Sequence, residues 1–142
     1  MRLYTIDIIL DRKAMKYIGF IKRFDAHHPA SKDLTKMRVE NKIDEKLRTS
    51  LIKYLSDGNF LFGWMSFLRE EDGTPIGNND YFTDGHYVWP RYYIYYLNKY
   101  DDLEISEDFI YHAKSRNFVM TELSKEQLNK LEKIYDEERF IR

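Results

Sequence analysis

The stretch YFTDGHYVWPRYYIYYLNKY, residues 81–100, decides how this chain is read. Tyr81–Phe82 and His86–Trp89 read as short strands on either side of Asp84-Gly85, a dipeptide suited to the positive φ of a tight hairpin turn. Pro90 then suits the first turn of a helix, where a missing N–H costs nothing. A helix over Pro90–Lys99 sets Tyr93, Tyr96, Leu97 and Tyr100 on one stripe and Tyr92, Tyr95 and Lys99 on another. One stripe cannot bury so many rings, so some tyrosines are expected at an edge, with hydroxyls in water or on a partner. Trp89 precedes proline and is held extended. It either wedges this helix against the sheet or anchors a partner, and the reading favours the structural role.

Working outward, apolar residues alternate over Leu3–Leu10, which predicts a first strand. Met15–Phe24 predicts a second, bulged at Gly19, followed by a long polar loop with helical turns. From Ile43 the period changes. Ile43, Leu47, Leu51, Tyr54 and Leu55 share a helical stripe, with Asn41 as the cap and Gly58 at the end. Phe60–Leu68 is apolar on both faces, as in a central strand buried on both sides, and Trp64 is expected in the core. EEDGTPIGNND, residues 70–80, reads as turn material. Ser106 caps a helix beginning Glu107-Asp108, with Phe109, Ile110 and Ala113 inward and His112 on the surface. Ser124 and Gln127 form a capping box for a last helix that turns Leu128, Leu131, Ile134 and Tyr135 inward, with Leu123 and Leu128 as its staple. The expected fold is α+β, a small, mostly antiparallel sheet with about four helices packed on it, in a single domain over residues 1–142.

The absence of cysteine excludes disulfides, thiolate zinc sites and cysteine nucleophiles. No run approaches the ~20 apolar residues of a membrane span, and no signal peptide is evident, so a cytoplasmic location is expected. Net charge is −1, but it is unevenly spread. Residues 1–58 carry a positive excess of five, residues 59–103 a negative excess of four, and 104–142 a negative excess of two. The acidic middle also holds thirteen of the twenty-three Phe, Trp and Tyr residues, a poor match for a phosphate backbone and a better one for a basic protein partner. No nucleic acid or membrane partner is therefore expected.

Motifs for chemistry are few. Gly-x-Ser-x-Gly, the P-loop and the dinucleotide fingerprint are all missing. Asp80, Asp84 and His86, with Glu70 or Glu71, have ligand chemistry but match no metal loop, and aspartates in such turns usually satisfy backbone N–H groups. No metal or other cofactor is expected. Adjacent His27 and His28 would point apart. The expected function is a non-catalytic protein-binding module whose partner meets Asp80, Tyr81, Asp84, His86, Tyr92 and Tyr95. The alternative is a metal-dependent or acid–base enzyme built on Asp80, Asp84 and His86.

GNFLFGW, DGHYVWPRYYIYYLNKY and ISEDFIYHA, spanning roughly Gly58 to Ala113, resemble a pattern in small bacterial proteins. There a Thr-Asp-Gly turn leads to Trp-Pro, a tyrosine-rich helix, and a second helix with an aromatic in its first turn. Such proteins resemble immunity proteins of polymorphic or contact-dependent toxin systems. The resemblance implies a cognate toxin with a basic surface as partner, and no catalytic residues to carry over.

Overall fold

The computed structural model of the protein describes residues 15–40 and 42–139. The strand expected over Leu3–Leu10 and the Asn41 cap lie outside the described residues. Within them the order is β1 (Lys16–Tyr17), a 3-10 turn (Leu34–Met37), α1 (Glu45–Ser56), β2 (Asn59–Arg69), β3 (Pro75–Thr83), β4 (Tyr87–Pro90), α2 (Arg91–Lys99), α3 (Glu107–Ser115) and α4 (Lys125–Glu138). The strands form one sheet in the order β1-β4-β3-β2, antiparallel except for the β1·β4 pair. The fold is α+β, with four helices among the described residues. None of the described helices is long and apolar enough to cross a membrane.

The hairpin at residues 83–87 forms as its sequence predicts. Gly85 adopts φ 102°, and both Asp84 Oδ1 and Thr83 Oγ1 accept turn N–H groups. β4 then sorts its side chains by alternation. Tyr87 and Trp89 enter the larger core with Leu51, Tyr54, Leu55, Tyr93, Tyr96, Leu97 and Phe109, while Val88 joins Phe20, Leu61, Tyr81 and Tyr135 in a second cluster. Trp89 is fully buried and donates its Nε1–H to the Leu55 carbonyl at 3.1 Å, locking α1 to β4. This is the structural role that its position before proline suggested.

Helix starts follow their caps. Asp44 caps α1, accepting from Leu47 N–H at 3.2 Å. Ser106 caps α3, and Ser124 with Gln127 completes a capping box on α4. Pro90 sits at the cap position, so α2 starts one residue later, at Arg91.

Several expectations need correction. The segment over Met15–Phe24 pairs in β1 only at Lys16 and Tyr17, because Gly19 turns the chain at φ 77°. Residues 70–80 are not all turn: the turn ends at Thr74, and β3 begins at Pro75. Proline is tolerated at a first strand residue, where no ladder N–H is needed. Among the described residues β2 pairs with β3 alone, at the edge of their sheet and not at its centre. Trp64 is accordingly half-exposed rather than in the core. His112 is not on the open surface; it is half-buried against Asp84.

Candidate interaction surface

The six residues expected to meet a partner fall in four separate places. Tyr81 and Tyr92 come together beneath the surface. Both hydroxyls donate to the Asp25 carboxylate, Tyr81 at 2.8 and 2.9 Å, while Tyr92 also accepts the Ile21 N–H at 2.9 Å. Burial pushes the Asp25 carboxyl above its ordinary range, against the opposing pull of these two hydroxyls. Tyr81 and Tyr92 are buried, so neither offers a contact surface.

Asp84 is a second hub and is 1% exposed. Its Oδ2 accepts from Tyr54 Oη at 2.6 Å and lies 2.8 Å from His112 Nε2, while Oδ1 accepts the backbone N–H groups of His86 and Tyr87, each at 2.9 Å. Burial pulls this carboxyl upward, but the bonds from Tyr54, Tyr87 and His86 and the nearby His112 outweigh it and hold the pKa low. The hub ties α1, the hairpin and α3 together. His86 packs edge-on to His112 at 5.3 Å, so Asp84 and His86 do share one place.

Asp80 does not join them; it pairs with Arg91 at 3.0 Å. Tyr95 lies elsewhere again, donating at 3.2 Å to Glu70, which also receives Tyr96, Lys99 and Arg23. Among the described residues no group of three or more His, Asp or Glu side chains is placed to hold a metal ion.

Of the large apolar side chains exposed among the described residues most are on β2, with Tyr111 and Val119 apart from them. Phe60 is 54% exposed, Trp64 44%, Met65 105% and Phe67 50%. At Trp64 and Met65 the cause is a bulge. Gly63 pairs with Asp80 and Phe67 with Asn78, so residues 64–66 stand opposite Asn79 alone and are pushed outward. Ser66 Oγ accepts from Asn79 Nδ2 at 3.2 Å, which fixes the bulge against β3. Five consecutive residues, Gly63 to Phe67, are exposed in mid-strand. The rings are oriented by packing: Phe62 holds Trp64 edge-on at 5.7 Å, while the Arg139 and Arg69 guanidinium groups lie over Trp64 and Phe67 at 5.3 and 5.1 Å. The result is an apolar ridge along β2 with arginines over two of its rings.

No protein-family model, curated protein or solved structure matches this chain. The ridge therefore has to be read from its own chemistry.

Sequence reasoning took Phe60–Leu68 as buried because it is apolar throughout. One signal pointed the other way. The run holds Phe, Leu, Trp and Met but no Val or Ile, whereas strands buried on both faces are rich in β-branched residues. The tyrosine-rich helix α2 is tied down from within. Its hydroxyls are satisfied within the chain, down to Tyr93, which donates to the Glu104 carbonyl at 2.9 Å.

Proposed function

We propose that this chain is a non-catalytic protein-binding module whose partner seats on the β2 ridge. One observation carries the reading: Phe60, Trp64, Met65 and Phe67 stay exposed together on one edge strand. Contiguous apolar exposure of this kind marks interaction sites in folded proteins, and aromatic side chains with Met and Arg are enriched at interface cores. The resemblance of residues 58–113 to immunity proteins supports a bacterial toxin as the partner, with this chain as its neutralising inhibitor.

The test is a calorimetric titration of the chain with a toxin encoded beside it, and growth protection of cells that express that toxin. Met65→Glu places a charge at the fully exposed centre of the ridge. It should leave the thermal melt within about 0.5 kcal/mol of wild type, as exposed substitutions usually do. Binding should weaken by about 2 kcal/mol or more if Met65 lies at the centre of the contact. Full-strength binding by Met65→Glu, with the fold intact, would remove the ridge from the interface.

A further inference from the structure

We infer that Met65 is a reversible oxidation site, and that a peroxide weakens partner binding by converting this thioether to a sulfoxide. The inference rests on the ridge being the partner's seat and adds a chemistry that controls it.

The chain has no cysteine, so its sulfur chemistry belongs to methionine alone. Among the described residues the fold sorts the methionines sharply. Met37 is 3% exposed in the larger core, Met120 packs against that core, and Met15 packs against the second cluster. Met65 is 105% exposed. The bulge sets it there, opposite Asn79 in a run that no partner strand holds flat. A peroxide must reach the sulfur lone pair, so exposure ranks these four, and Met65 stands first. Hydrogen peroxide then passes one oxygen to that lone pair. Its O–O bond breaks as the S–O bond forms, and water leaves. The sulfur gives up two electrons to the peroxide, and the chain neither gains nor loses a proton.

The product is read by a partner and not by the fold. Oxidation turns a flexible apolar side chain into a polar one, which disrupts interfaces that bury it. From Gly58 to Leu68 the chain carries no charged residue, so the ridge around Met65 has no cation of its own to pair the new oxygen. A partner seated over Met65 and Trp64 would take that oxygen out of water, and an acceptor buried without a donor is costly. In the free chain the same oxygen faces solvent at no cost. Met37 could not serve in this way, because an oxygen there would sit in the core. Exposure also makes the step reversible. A reductase can reach the sulfoxide, and attack on an open thioether gives both sulfur epimers, each the substrate of its own reductase class.

Limited treatment of the chain alone with hydrogen peroxide, followed by peptide mass mapping, tests the site. Met65 should gain one oxygen ahead of Met15, Met37 and Met120, with the melting temperature unchanged. Titration of the oxidised chain with the toxin encoded beside it tests the consequence. The dissociation constant should rise about tenfold, equivalent to ~1.4 kcal/mol. Both reductase classes together, with dithiothreitol giving up two electrons per sulfoxide and water leaving, should restore the original value. Met65→Leu keeps an apolar side chain of similar volume. It should bind like the untreated chain and stay so after the same peroxide treatment. A Met65 that oxidises no sooner than Met37 overturns the inference, as does an equal loss of binding in peroxide-treated Met65→Leu. The two readings fail separately. An oxidised chain that binds in full, while Met65→Glu binds weakly, sinks only the oxidation control. Full-strength binding by Met65→Glu removes the ridge from the interface, whatever the peptide map shows of Met65.

Discussion

His28 makes the clearest argument from a single side chain. Sequence reading placed it in a polar loop; the structure stacks its ring on Phe20 at 4.2 Å, with Tyr17 and Tyr135 around it. Its Nδ1 accepts the Ala30 N–H at 3.0 Å, which fixes the proton on Nε2, and that nitrogen is buried without a partner among the described residues. Protonation would put a hydrogen where Nδ1 must accept. Burial, reinforced by nearby Arg139, lowers the pKa from 6.5 to about 4. The folded group thus binds its proton less readily than the unfolded one. Its contribution is complete above about pH 6.5 and is lost as pH falls toward 4. Between about pH 7 and pH 5 wild type should lose roughly 1–2 kcal/mol relative to His28→Asn, which keeps an acceptor near the Nδ1 position but does not titrate. Thermal melts at several pH values on both proteins check this. Parallel pH profiles would mean that His28 protonates freely in the fold.

Among elements, those with local signals were legible and those defined by their neighbours were not. The cap of α3, the capping box of α4 and the Asp84-Gly85 hairpin depend on residues within four positions of one another, so the sequence displays them. Whether β2 lies at the centre or the edge of the sheet depends on what pairs beyond it, which no local pattern encodes. β3 hid for a related reason: Pro75, Gly77, Asn78 and Asn79 have turn composition, yet pairing with β2 makes them a strand. Gly19 also shows how a distant element sets a local choice. It sits at φ 77°, and a Cβ there would lie 2.1 Å from Tyr93 Cγ on α2. The ring of Tyr93 packs directly on backbone between β1 and the loop that follows. Gly19→Ala adds a disfavoured left-handed backbone to a clash with an immobile ring, so it should cost ~3 kcal/mol or more. Tyr93→Ala in the same background should relieve the clash and not the backbone strain, so the double variant should lose less than the two single losses added together. Additive losses in denaturant titrations would show that the Tyr93 contact is not what excludes a side chain at residue 19.

At the scale of the whole molecule the uneven charge finds its explanation inside the chain. The basic first segment meets the acidic middle: Arg23 pairs with Glu70 at 3.3 Å, Lys42 with Asp101 at 3.0 Å, and Arg38 with Asp102. Asp80 pairs with Arg91, and Asp84 is enclosed by Tyr54 and His112. Of the seven acids in residues 59–103 this leaves Glu71 and Asp72, exposed at the tip of the β2–β3 hairpin. A segment that looked like an acidic docking face thus holds the two parts of the chain together, and the ridge between Asn59 and Leu68 is uncharged. This bears on how a partner arrives. Association steered by an acidic face is fast at low salt and slows steeply as ions screen it, because the steering field decays over about 10 Å at 0.1 M salt. Association led by an uncharged ridge has little field to screen. For the toxin partner proposed above, stopped-flow measurement from about 0.05 to about 0.5 M salt should therefore find the association rate changed by no more than roughly threefold. Ridge substitutions such as Met65→Glu should act mainly on dissociation, as most interface changes do. Reversing Glu71 and Asp72 to Lys should alter the salt dependence more than the affinity. A rate that falls tenfold or more with salt, and collapses in the Glu71→Lys/Asp72→Lys variant, would return the docking face to the acidic hairpin tip and demote the ridge to a secondary contact.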